Sequence, residues 1–104
     1  MNILAYDNDT YNITGTHLQG HVITDYATLV ENFGEPTYDT PSLDEKTNVE
    51  WNIEFKVKNE NGDIDYIVAT IYDWKQREIP TGKHPWNVGG INRSSLECVE
   101  KVLA

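Results

Sequence analysis

The clearest pattern in the chain is an alternation between residues 49 and 58. Val49, Trp51, Ile53, Phe55 and Val57 alternate with Glu50, Asn52, Glu54, Lys56 and Lys58. Side chains along a strand point to opposite faces in turn, so this is a strand with one buried face. Asn61-Gly62 follows, a pair that tolerates the positive φ of a tight hairpin turn. The returning segment runs from about Ile64 to Trp74 and is apolar at Tyr66, Ile67, Val68, Ala69 and Ile71. Apolar residues on both faces predict a central strand. A hairpin over about 49–74 is therefore the expected heart of the fold.

Two segments change to the helical period. Tyr26, Leu29, Val30 and Phe33 make one apolar face, with Thr24 as the expected N-cap and Asp25 in the first turn. Gly34 and Pro36 end that helix. Near the C-terminus Leu96, Val99, Val102 and Leu103 form a second apolar face beside Cys98, and Ser94 and Glu97 have the spacing of a capping box. Residues 17–23 predict a strand interrupted by Gly20. Residues 86–88 predict a short last strand broken by Gly89-Gly90. Residues 1–14 read as a loosely held arm or a short edge strand, and 35–48 and 75–85 as loops. The order is β-α-β-β-(β)-α. It predicts an α+β fold, a small twisted antiparallel sheet of three or four strands with two helices on one face. At 104 residues the chain fits a single domain over 1–104.

Composition narrows the function classes. No stretch approaches the roughly 20 apolar residues of a membrane span, and the N-terminus lacks the pattern of a signal peptide. The single Cys98 rules out an intrachain disulfide and points to a reducing cytoplasm. The net charge of −9 opposes binding to DNA or anionic membranes. That charge is uneven. Residues 1–50 hold nine acids and one base, Lys46, whereas residues 51–104 hold eight acids and seven bases. Between Lys75 and Arg93 the balance reverses, with Lys75, Arg77, Lys83 and Arg93 against Glu78 alone.

Ile71-Tyr72-Asp73-Trp74-Lys75, Pro80-Thr81-Gly82 and Trp86-Asn87-Val88-Gly89-Gly90, followed by a short helix, resemble segments of a group of small proteins of tailed bacteriophages. Leu18-Gln19-Gly20 and the stretch from Tyr26 to Pro36 fit the same group, so the resemblance spans about 16–103. No activity is established for that group. The resemblance implies a phage accessory protein acting in the host cytoplasm, of a kind that often blocks host defence, and it carries over no catalytic residue.

The candidate chemistry lies in 72–94. A strand, Gly89-Gly90 and a helix start would aim backbone N–H groups and the helix dipole at an anion. Arg93 would add a guanidinium fork and Ser94 and Ser95 hydroxyls. The plain alternative is a tight turn. Trp74 and Trp86 flank the cationic loop, and an indole face can stack on a nucleobase beside Lys75 or Arg77. The plain alternative is that both fill the core. Asp73, between Tyr72 and Trp74, could accept from a base edge or ribose, or cap a turn. Lys83-His84-Pro85 reads as a tip that could serve as a lid. His17 and His21 are four apart, which on a strand gives no compact metal pair, and no HExxH, CxxC or G-x-S-x-G pattern is present.

Two readings follow. The first is a binding module, with no cofactor and no metal, that sequesters a nucleotide-derived immune signal. Its site is Tyr72, Asp73, Trp74, Lys75, Arg77, Trp86, Asn87, Gly89, Gly90, Arg93 and Ser94, and a homo-oligomer could close the pocket. The second is a protein-binding inhibitor of the nucleic-acid-mimic type. It would present acids such as Asp39, Asp44 and Glu45 to a basic host effector of a CRISPR or restriction system.

Overall fold

The computed structural model describes residues 1–39 and 46–104. Five strands and two helices are placed: β1 (Asn2–Asn8), β2 (His17–Thr24), α1 (Tyr26–Phe33), β3 (Glu50–Lys58), β4 (Ile64–Tyr72), β5 (His84–Gly90) and α2 (Ser94–Leu103). The strands form one sheet in the order β1-β3-β4-β5-β2, and each neighbouring pair is antiparallel. The hairpin forms as the alternation requires, with Trp51 opposite Ile71, Ile53 opposite Ala69 and Phe55 opposite Ile67. Strand β4 is central.

The sheet has two unlike faces. Trp51, Ile53, Phe55, Val57, Ala69, Ile71, Trp86, Val88 and Val22 are buried on one face under both helices. α1 lays Leu29 and Phe33 there, with Phe33 edge-on to Phe55 (6.4 Å between centroids) and Tyr26 against Trp51 (5.7 Å). Trp51 and Trp86 meet edge-to-face at 5.6 Å, a pairing worth about 0.5–1.5 kcal/mol beyond the area it buries. α2 brings Leu96, Cys98 and Val99 over β5 and β2. Burial pushes the Cys98 thiol up to about 11, so it packs as a small apolar side chain.

Several expectations change. Among the described residues the sheet has five strands, because residues 2–8 pair with β3 as an edge strand, with an irregularity between Ile3 and Ala5, and so are no loose arm, and because β5 is seven residues long. Asp25, not Thr24, caps α1: its carboxylate accepts from the Thr28 N–H at 2.8 Å, which holds its pKa below the ordinary value. Gly89-Gly90 does not break β5; both residues lie inside the ladder, opposite Thr70 and Ala69. No capping box forms at α2. The Asn92 side chain accepts the Ser94 N–H at 2.9 Å instead, and Ser95 turns inward to donate to the Val68 carbonyl at 2.8 Å.

The other face is crossed by a strap. Asn8 lies opposite Ile53, Ile53 opposite Ala69, Ala69 opposite Gly90, and Gly90 opposite His17. Thus β1 ends and β2 begins in the same row, at the two outer edges of the sheet. Four strand spacings amount to about 19 Å, and residues 9–16 bridge them. Tyr11 lies on this face, its hydroxyl bonded to Asp7 and its ring beside Glu54, Lys56 and Tyr66. In the crossed rows Asn52 and Thr70 are buried although no helix covers them. The strap divides the open face into two halves.

Candidate functional site

The half of the open face above the strap holds the residues around which a site can be built. Tyr72 of β4 opposes Asn87 of β5, and Asn87 opposes His21 of β2, so one row carries a phenol, an amide and an imidazole side by side. The next row of β5 and β2 sets Pro85 and Ile23 on the same face. The chain leaves β4 at Tyr72, turns at Asp73 and brings Trp74 and Gln76 over this floor. The result is a cleft of about 460 Å³ lined by His21, Ile23, Trp74, Gln76, His84, Pro85 and Asn87.

Asp73 is the pin that sets the wall. It is fully buried, and its carboxylate accepts from the backbone N–H groups of Asn48 (2.7 Å) and Val49 (3.1 Å) and from the Asn48 amide (2.6 Å). Three donors satisfy it, so it is a structural anchor rather than a reader of ligand. Lys75 adopts a left-handed conformation (φ 55°) and its N–H bonds the Lys46 carbonyl at 2.7 Å. A non-glycine residue held there costs of order 1 kcal/mol or more. The turn sets both ammonium groups against the Trp74 ring, Lys46 Nζ at 5.6 Å and Lys75 Nζ at 5.8 Å from its centroid. Tyr72 meets that ring edge-on at 6.3 Å, and the indole remains 40% exposed. A cation held over an indole face is attracted by about 0.5–1 kcal/mol where water has access.

The residues expected from the sequence separate into two groups. Tyr72, Trp74, Lys75 and Asn87 come together at the cleft. Arg77 is exposed on the same loop. Trp86 does not join them: it is fully buried on the helix side, its indole N–H donating to the Thr24 carbonyl at 3.1 Å. Gly89 and Gly90 are buried because β5 is approached from both sides. A Cβ on Gly89 would meet Thr70 Oγ1 at 2.5 Å, and one on Gly90 would meet Ser95 Oγ at 2.0 Å. Their role is close packing, and the expected anion seat at a strand-to-helix turn is not formed. Arg93 and Ser94 follow the far end of β5, away from Trp74, and Arg93 spans to Glu97 at 3.8 Å in an exposed i,i+4 pair. His84 and Pro85 are paired within β5, opposite Thr24 and Ile23, so they form part of the floor and not a lid.

His21, Ile23, Gln76 and His84 were not among the expected site residues. His21 and Ile23 belong to the strand at 17–23, and only the pairing of β2 with β5 brings them beside Asn87. The nearest signal was the alternation of His21 and Ile23 with the buried Val22, which marks an exposed face without saying what adjoins it.

Below the strap Asp7, Asp9 and Glu54 gather around Tyr11, with Lys56 beside them. The hydrogen bond to Asp7, with the charges of Asp7, Glu54 and Asp9 around it, pushes the Tyr11 hydroxyl up to about 12. Glu50 sits in the top row opposite Tyr72, and burial raises its pKa above the ordinary value.

Fold and cleft together define a small α+β protein whose sheet is covered by helices on one face and crossed by a strap on the other. No family model matches the chain, and comparison with curated proteins and with solved structures finds no match.

Proposed function

We propose that the protein is a binding module that takes an anionic, aromatic ligand of the nucleotide class in the cleft above the strap. The observation that carries this reading is Trp74: a half-open indole at the cleft wall with two ammonium groups within 6 Å of its ring. A nucleobase stacked on that ring gains about 1–3 kcal/mol. It displaces an ammonium group from the ring face, and that cation stays near enough to meet a phosphate. Asn87, His21 and Gln76 on floor and wall supply donors and acceptors for a base edge. Exposed charges beyond about 8 Å are screened at physiological salt, so the net −9 does not cancel this local field. The phage resemblance makes cyclic di- and oligonucleotide signals of host defence the first class to try, held without turnover.

The test is a thermal-shift and calorimetric screen of cyclic dinucleotides, cyclic oligonucleotides and ADP-ribose-type signals, with mononucleotides as controls. A ligand at a hundredfold excess over Kd stabilises the fold by about 2.7 kcal/mol, a rise of roughly 10 °C or more for a domain this small. Trp74→Ala removes the shift. Lys75→Gly reduces it while raising the melting temperature of the free protein, because glycine relieves the left-handed backbone. No shift with any member of the panel overturns the proposal.

One observation favours a second reading, the acidic inhibitor that docks on a basic effector. Asp7, Asp9 and Glu54 converge around Tyr11 below the strap. Of the acids that the sequence offers for this role Asp39 is exposed, whereas Asp44 and Glu45 lie outside the described residues.

A further inference from the structure

Among the described residues, Asn87 is the amide of the cleft with both ends open. The Gln76 amide nitrogen donates to the Trp74 carbonyl at 3.0 Å, which ties that side chain to the wall. No described group bonds the Asn87 amide. β5 sets Asn87 between Tyr72 and His21, and the cleft opens over it. A carboxamide carries a donor and an acceptor side by side. It pairs with a base edge that carries the same two in the opposite order. The rest of the lining limits which edges can be met. No described carboxylate, lysine or arginine lines the cleft. Asp73 stands behind the wall, saturated by three donors. Glu50 is two strand spacings from Asn87, about 10 Å, with Tyr72 between them. Lys46 and Lys75 lie against the Trp74 ring and not along the floor.

We infer that the base held in the cleft is adenine and that Asn87 selects it, an inference that rests on the nucleotide reading above. Adenine carries its N6 amino group between the ring nitrogens N1 and N7, so a donor stands beside an acceptor on either edge. A carboxamide meets such a pair with both of its ends. Guanine offers two different edges. One sets two donors, N1–H and the N2 amino group, side by side, and calls for the paired oxygens of a carboxylate. With none in the lining, the N2 amino group loses its water without gaining a partner, and a buried donor left unpaired is penalised. The other edge presents two acceptors, N7 and O6, which arginine or lysine reads, and neither lines the cleft. A pyrimidine can meet the amide, but its single ring covers less of the Trp74 indole. Floor and wall therefore favour the same base.

Isothermal titration calorimetry of the full chain with cyclic di-AMP and cyclic di-GMP tests it. The two probes share ring and phosphates and differ in the base. Cyclic di-AMP is expected to bind about tenfold or more tightly than cyclic di-GMP. Asn87→Ala removes the selecting amide and no hydrogen bond within the described fold, and brings the two affinities to within about twofold of each other. Asn87→Asp replaces the donor by a second acceptor and shifts the preference toward cyclic di-GMP. A wild type that binds both probes equally, or cyclic di-GMP more tightly, overturns the inference and leaves the nucleotide reading standing. So does an Asn87→Ala variant that keeps the full preference for cyclic di-AMP. Failure of both probes to bind the wild type overturns the nucleotide reading and this inference with it.

Discussion

At the scale of single residues, the two carboxylates beside the cleft show how context decides a role. Asp73 and Glu50 both lie near Tyr72, yet Asp73 is saturated with donors while Glu50 is desolvated by burial. Asn52, with its amide nitrogen turned toward the acid, donates to Glu50 Oε2 at 2.9 Å. Burial raises the Glu50 pKa in the folded chain above its unfolded value. Its ionisation therefore costs stability in full above the folded pKa, and the cost vanishes below the unfolded one. Glu50→Gln should raise the melting temperature at pH 7, with the gain shrinking as pH falls into the carboxylate range. Thermal melts of both proteins from pH 7 to pH 4 check this. A loss at pH 7, or a gain that does not change with pH, contradicts it. The sequence could not separate these acids, because Asp73 and Glu50 look alike until the 25-residue step from Asn48 to Asp73 is closed. The same holds for the tryptophans. Trp51 was legible as core from its alternation, but Trp74 and Trp86 were not told apart.

At the scale of elements, period and punctuation carried most of the fold. The hairpin, its turn, both helices and the central place of β4 were all visible as alternation, helical spacing and stop signals. Gly89-Gly90 misled, because glycine marks a chain break and a close approach with the same letter. In the structure α2 packs so near β5 that a side chain at 90 has no room. Gly90→Ala should force Ser95 away and lift the start of α2, at a cost of about 3 kcal/mol. Adding Ser95→Gly to that variant should restore part of the loss, since the clashing atoms are the Ser95 side chain itself. Denaturant titration of the two variants reads this directly. An alanine at 90 with unchanged stability contradicts the packing described.

At the scale of the whole molecule, the placement of the site depends on one long-range pairing. β2 and β5 are over 60 residues apart in sequence, and only their pairing sets His21 and Ile23 beside Asn87 and Pro85. No local pattern encodes that adjacency, so the sequence singled out Trp74 and Asn87 together with Trp86 and Arg93, which lie elsewhere, and passed over His21 and Ile23. The strap was equally hidden, because residues 9–16 have no period and their course follows from where β1 and β2 end. The central claim is that this composite cleft receives a nucleotide through Trp74. The three indole N–H groups allow it to be tested in one spectrum. Trp51 donates to the Gly34 carbonyl at 2.8 Å and Trp86 to Thr24, both on the helix side of the sheet. In a ¹⁵N–¹H NMR titration with a cyclic dinucleotide, the Trp74 indole signal and the amides of His21 and Asn87 should move together, while the Trp51 and Trp86 indoles stay in place. A titration that moves none of these signals, or that leaves Trp74 still while other regions shift, would contradict the account.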